Sequence, residues 1–88
     1  MTNVPEKIRE MWADVYKLFD INYRMQNDME SWNRFWKQAI EIWNKYGSTQ
    51  ILLKLIDTVA LMIEDRMKKE SIEPNDPRPT AWENMTLF

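Results

Sequence analysis

The 88-residue chain has no cysteine, no histidine and a single glycine, Gly47. Without cysteine, neither a disulfide framework nor a thiolate metal site can form. Without histidine, the commonest general base, the commonest zinc ligand and the side chain that titrates near neutrality are all missing. One glycine cannot make the phosphate-cradling loops of the Walker or dinucleotide type. The longest apolar runs, residues 51–53 and 59–63, fall far short of the roughly 20 residues needed to cross a bilayer. Residues 1–6 carry neither the basic nor the apolar region of a secretory signal, so the cytoplasm is the expected location, and Met1 suggests a whole gene product.

Charge is nearly balanced, and its distribution says more than its sum of −2. Residues 1–47 hold seven basic and seven acidic side chains, and residues 48–71 hold four of each. The imbalance comes from residues 72–88, where Arg78 faces Glu73, Asp76 and Glu83. A nucleic-acid binder ordinarily shows a basic stripe or a high pI, whereas here the pI is near 5.1. The cations available to such a binder would be Arg34, Lys37, Lys45, Arg66, Lys68 and Lys69. A mimic of DNA phosphates would need many more carboxylates. Nucleic acid is disfavoured as a partner.

Hydrophobic spacing divides the chain into three helices. Val4, Ile8, Trp12, Val15, Tyr16, Phe19 and Tyr23 recur at steps of three and four, which places them on one face at about 100° per residue. Asn3 and Glu6 read as a capping box, and Pro5 suits a first turn. This predicts a helix over about 4–23. Asn27 with Glu30 forms a second candidate box, followed by Trp32, Phe35, Trp36, Ala39, Ile40, Trp43 and Tyr46 on one face. That predicts a helix over 28–46, stopped at Gly47, because glycine enters the left-handed region without a Cβ penalty. Ser48 or Thr49 caps a third helix over 49–69. Its apolar residues, from Leu52 to Met67, spread over an arc of roughly 180°, wide enough for two neighbours or for a neighbour and a partner chain.

Short links favour antiparallel neighbours. The expectation is therefore an all-α, three-helix up-down-up bundle over residues 1–71, with residues 72–88 as a proline-rich extended strap ending in an apolar segment. The alternative is a helical hairpin that completes its core as a homodimer, since a chain this small without disulfide or metal has a thin stability margin. The expected core is Trp12, Phe19, Trp32, Trp36, Trp43, Leu52, Ile56, Val59 and Ile63. Trp32, Trp36 and Trp43 lie within about 40° of one another, and such a stripe reads first as packing. Stacked bases are the other reading, weakened by the missing basic stripe.

Catalysis finds little to work with. The closest acidic pairs, Glu64-Asp65 and Asp28/Glu30, read as solvated helix faces, and Ser31, Ser48 and Ser71 have no histidine to activate them. No enzyme activity, cofactor or metal is expected. A protein partner is. Ile21 and Met25, opposite the first stripe, and Leu61 on the third helix are the candidate exposed apolar contacts. Small size, absent cofactor chemistry and mixed surface charge resemble the accessory proteins of phages and mobile elements in composition.

The C-terminal pentapeptide Asn84-Met85-Thr86-Leu87-Phe88 resembles the short peptide with which many bacterial replication and repair proteins bind the sliding clamp, typically Gln-Leu-Ser/Asp-Leu-Phe. The resemblance implies that Leu87 and Phe88 fill an apolar pocket of the clamp and that Met85 takes the place of leucine. Asn84, one methylene shorter than glutamine, departs from the pattern at the second subsite. The competing expectation is that Trp82, Leu87 and Phe88 fold back on the bundle.

Overall fold

A computed structural model describes residues 4–47, 49–70, 72–74, 76, 77 and 79. Three helices form among them: α1 over Glu6–Asn22, α2 over Met29–Lys45 and α3 over Gln50–Lys69. No strand occurs among the described residues. The boundaries agree with the sequence spacing to within two residues, and the caps explain the shifts. Pro5 is the residue before α1, with no side-chain cap of its own. Asn3 lies outside the described residues.

At α2 the cap is Asp28 rather than the expected Asn27. Its Oδ1 accepts from the Ser31 amide at 2.7 Å. Asn27 is committed elsewhere: its Oδ1 accepts from the indole Nε1 of Trp32 at 2.9 Å, and its amide donates to the Glu73 carbonyl at 2.5 Å. Gly47 stands just past α2 at φ 83, where an L side chain would be strained. Thr49 then caps α3 by accepting from the Leu52 amide at 3.3 Å.

Contacts between helices set their directions. Asp14 of α1 meets Lys45 and Tyr46 at the end of α2, while Asn22 meets Gln38 nearer its middle. These two helices are antiparallel. Arg66, near the end of α3, donates to the Met25 carbonyl at 2.7 Å and lies over the Tyr23 ring, so α1 and α3 finish at the same end. The bundle is up-down-up.

The core is built mainly by α2 and α3. Trp32, Phe35 and Ala39 are fully buried with Leu52, Ile56, Ala60, Ile63 and Met67, and Trp36 and Val59 are nearly so. Edge-to-face ring contacts join Phe35 to Trp32 and to Trp36, at centroid distances of 5.8 and 5.0 Å. Phe19 and Trp43, expected in the core, are half-buried against its margin.

Trp12 is a correction: expected in the core, it is 55% exposed. The first helix buries Val15, Leu18 and Asn22, with Met11 partly covered, and that face lies about 70° around the helix from the centre of the expected stripe. Residues 4–10 are exposed, and the last residue of α2, Lys45, is bonded to α1 further along, at Asp14. The first turns of α1 therefore project past the end of α2, and none of the described residues buries them.

Beyond α3, residues 72–74, 76, 77 and 79 are neither helix nor strand. The Asp76 carboxylate accepts from the Trp36 indole at 2.6 Å, and with the Glu73–Asn27 bond this seats the segment against the α2 end of the core. The apolar end of the 72–88 tail, with Trp82, lies outside the described residues.

Candidate protein-docking surface

The rotation of α1 leaves its longest apolar stripe facing outward. Ile8, Trp12 and Tyr16 follow one another at four-residue steps, which in a helix stacks them on one face, and they are 41%, 55% and 66% exposed. The stripe runs on into rings that α3 partly covers. Tyr16 meets Phe19 edge-on at 6.4 Å, and Phe19 meets Tyr23 edge-on at 5.0 Å. The Arg66 guanidinium, 5.8 Å above the Tyr23 ring, closes the far end.

On the α3 side of the same seam stand Leu61 and Met62, both about half exposed, and Ile51 at the start of the helix is more exposed still. Between the two helices an open groove of about 390 Å³ is lined by Phe19, Tyr23, Leu61 and Met62, with Thr58, Asp65 and Lys69 on its rim. Lys69 pairs with Asp65 at 3.2 Å across that rim. The exposed side chains from Ile8 to Met62 are apolar, and the largest apolar patch on a monomer, about 300–600 Å², is often a functional one. Trp, Tyr and Met are also the residue types enriched where proteins meet.

The sequence-predicted contact residues do not gather into one patch. Leu61 lies in the α1–α3 groove as an exposed residue. Ile21 is exposed on the other side of α1, beside Leu18 and Ile42 in a second groove of about 400 Å³ between α1 and α2. Met25 is a correction: it is buried at 9% exposure, because the chain turns after α1 and carries it inward under Arg66. Met85, Leu87 and Phe88 lie outside the described residues.

Sequence reasoning missed Ile8, Trp12, Tyr16 and Met62 as surface residues. One signal was available. With Met11 and Leu18 added to the expected stripe, the apolar arc of α1 becomes too wide for one neighbour to cover.

The α1–α2 groove has a polar end with a structural use. Asp14 accepts from the Tyr46 hydroxyl at 2.5 Å and from Lys45 at 2.9 Å. The Tyr46 bond, reinforced by Lys45, holds the Asp14 carboxyl below its ordinary pKa. Burial of the phenol, together with its bond to Asp14, pushes Tyr46 up, and the Asp14 bond raises Lys45. The three groups fasten α1 to the end of α2.

Of the cations a nucleic-acid binder would use, Lys45, Arg66 and Lys69 are engaged within the chain, with Asp14, Glu70 and Asp65. Among the described residues no group of three acidic, histidine or cysteine side chains could hold a metal ion. None of the described helices is long and apolar enough to cross a membrane. No family model, curated protein or solved structure matches the chain.

Proposed function

We propose that the protein is a non-catalytic protein–protein interaction module, a small cytoplasmic accessory or adaptor protein that works through the α1–α3 face. The observation that carries this reading is the uncovered row Ile8, Trp12 and Tyr16 leading into the groove between Phe19 and Met62. Apolar surface left in water costs about 25 cal/mol per Å², which burial against a partner removes. An amphipathic helix laid into an apolar groove is a recurrent mode of recognition. Support for a non-catalytic role comes from composition: the chain has neither histidine nor cysteine.

Affinity capture from the native host tests the proposal with two variants beside the wild type. Trp12→Ala/Tyr16→Ala removes the exposed rings, and truncation after Ser71 removes the tail. Partners lost from the double variant and kept by the truncated chain support the face. The reverse pattern moves the interaction to the tail and sinks the reading.

A further inference from the structure

We propose that the occupant of this face is a second copy of the chain, arranged so that the projecting start of each α1 lies in the α1–α3 groove of the other. The proposal rests on the reading of that face as a docking surface, and it adds the partner and the register. Two apolar features of one chain stand at opposite ends of the same stripe. One is the uncovered first turns of α1, with Ile8 and Trp12 on their apolar side. The other is the open groove beside Phe19 and Tyr23, of about 390 Å³.

An arm cannot fold back along its own straight helix into its own groove. Ile8 and the midpoint of the groove, near residue 21, are about 20 Å apart at 1.5 Å per residue. A two-fold axis crossing α1 between residues 14 and 15 removes that separation. Antiparallel pairing about this point carries Ile8 of one copy to the Phe19–Tyr23 level of the other and sets Trp12 against Tyr16 in both directions. The interface is isologous and closes after two copies.

Charge agrees with this register. Arg9 and Asp20 lie on the same outer edge of α1, at about 180° and 200° on the helical wheel. Edges of antiparallel helices related by a two-fold meet like to like, so Arg9 faces Asp20 of the second copy when the axis passes near residue 14.5. The contact occurs twice. No ion pair joins either residue to another within the described residues. Opposed charges of this kind select the register.

Sedimentation equilibrium from about 10 µM to 1 mM is the test, with circular dichroism confirming that each variant is folded. The expected result is a mass that rises toward twice 10.8 kDa. Arg9→Asp should weaken association about tenfold, Ile8→Glu should abolish it, and Arg9→Asp/Asp20→Arg should restore it. A dimer indifferent to Ile8→Glu and to the charge reversal overturns the arrangement. A monomer at every concentration overturns self-association, and a hydrophobic dye then separates the two proposals. Dye bound by the wild-type monomer and lost in Trp12→Ala/Tyr16→Ala leaves the face as a docking surface for a different protein. No dye bound removes both.

Discussion

Replacing Trp36 by alanine takes away a ring that is 3% exposed and wedged edge-on against Phe35 at 5.0 Å. A tryptophan buries about 150–250 Å², worth about 4–6 kcal/mol at 25 cal/mol per Å² as an upper bound. Tryptophan-to-alanine changes in cores cost about 3–5 kcal/mol once relaxation is included. The indole also donates to Asp76 at 2.6 Å, but that carboxylate is half-buried and regains water when the ring is gone, so the lost bond adds only about 1 kcal/mol. A loss of about 4 kcal/mol follows, against a total stability of about 4–13 kcal/mol for a chain of this length at ordinary per-residue values.

Urea unfolding followed by circular dichroism reads the loss directly. With a slope of about 1 kcal/mol per molar urea, the midpoint should fall by roughly 3–4 M, or the variant should be unfolded in buffer. Asp76→Ala separates the two contributions, since it deletes the bond and leaves the ring. A cost below about 1 kcal/mol for Trp36→Ala would refute the packing described for α2, because no ring buried on all sides can be removed so cheaply.

Trp12→Ala and Tyr16→Ala remove rings of similar size from exposed positions, so each should cost less than about 1 kcal/mol in the monomer by the same denaturation assay. Asn27→Ala deprives the Trp32 indole of its acceptor in a buried setting; a loss of about 1–3 kcal/mol is expected, and an unchanged melting curve would mean that another acceptor takes over. Gly47→Ala meets no atom within 4 Å, so its cost should be the left-handed backbone alone, about 1 kcal/mol in thermal melts. For Asp14, the bonds from Tyr46 and Lys45 make the folded state the weaker proton binder, so stability rises with pH. This contribution is whole above about pH 4 and drains away as pH falls through the lowered Asp14 value; urea midpoints between pH 2 and 6 should climb more steeply for wild type than for Asp14→Asn. Tyr46 and Lys45 shift the other way, so the folded state keeps their protons longer, and the fastener weakens again as pH rises past about 10.

Helix positions were legible because their signals are local. Gly47 ends α2 through its own φ, and Thr49 caps α3 through an oxygen three residues from the amide it bonds. The tryptophan stripe of α2 was legible for the same reason: its polar and apolar sides are cleanly separated, so only one face could turn inward. The same reasoning failed on α1, where two apolar stripes lie side by side. Asn22, which bonds Leu18 and Gln38 in a buried position, marks the inward stripe, and nothing in the spacing of α1 distinguishes it from a surface asparagine. Met25 was misread as exposed because the turn after α1 abandons the helical wheel on which its direction was reckoned.

Amino-acid order alone determined three amphipathic helices, their ends, and the absence of thiol and imidazole chemistry, since each depends on residues within a few positions of one another. Which side of α1 meets the core, and how far its first turns stand clear of α2, was decided only when the helices packed. The reason is geometric: a helix with more apolar surface than its neighbours can cover must leave some of it outside. The lengths and crossing points of those neighbours choose the part that is left.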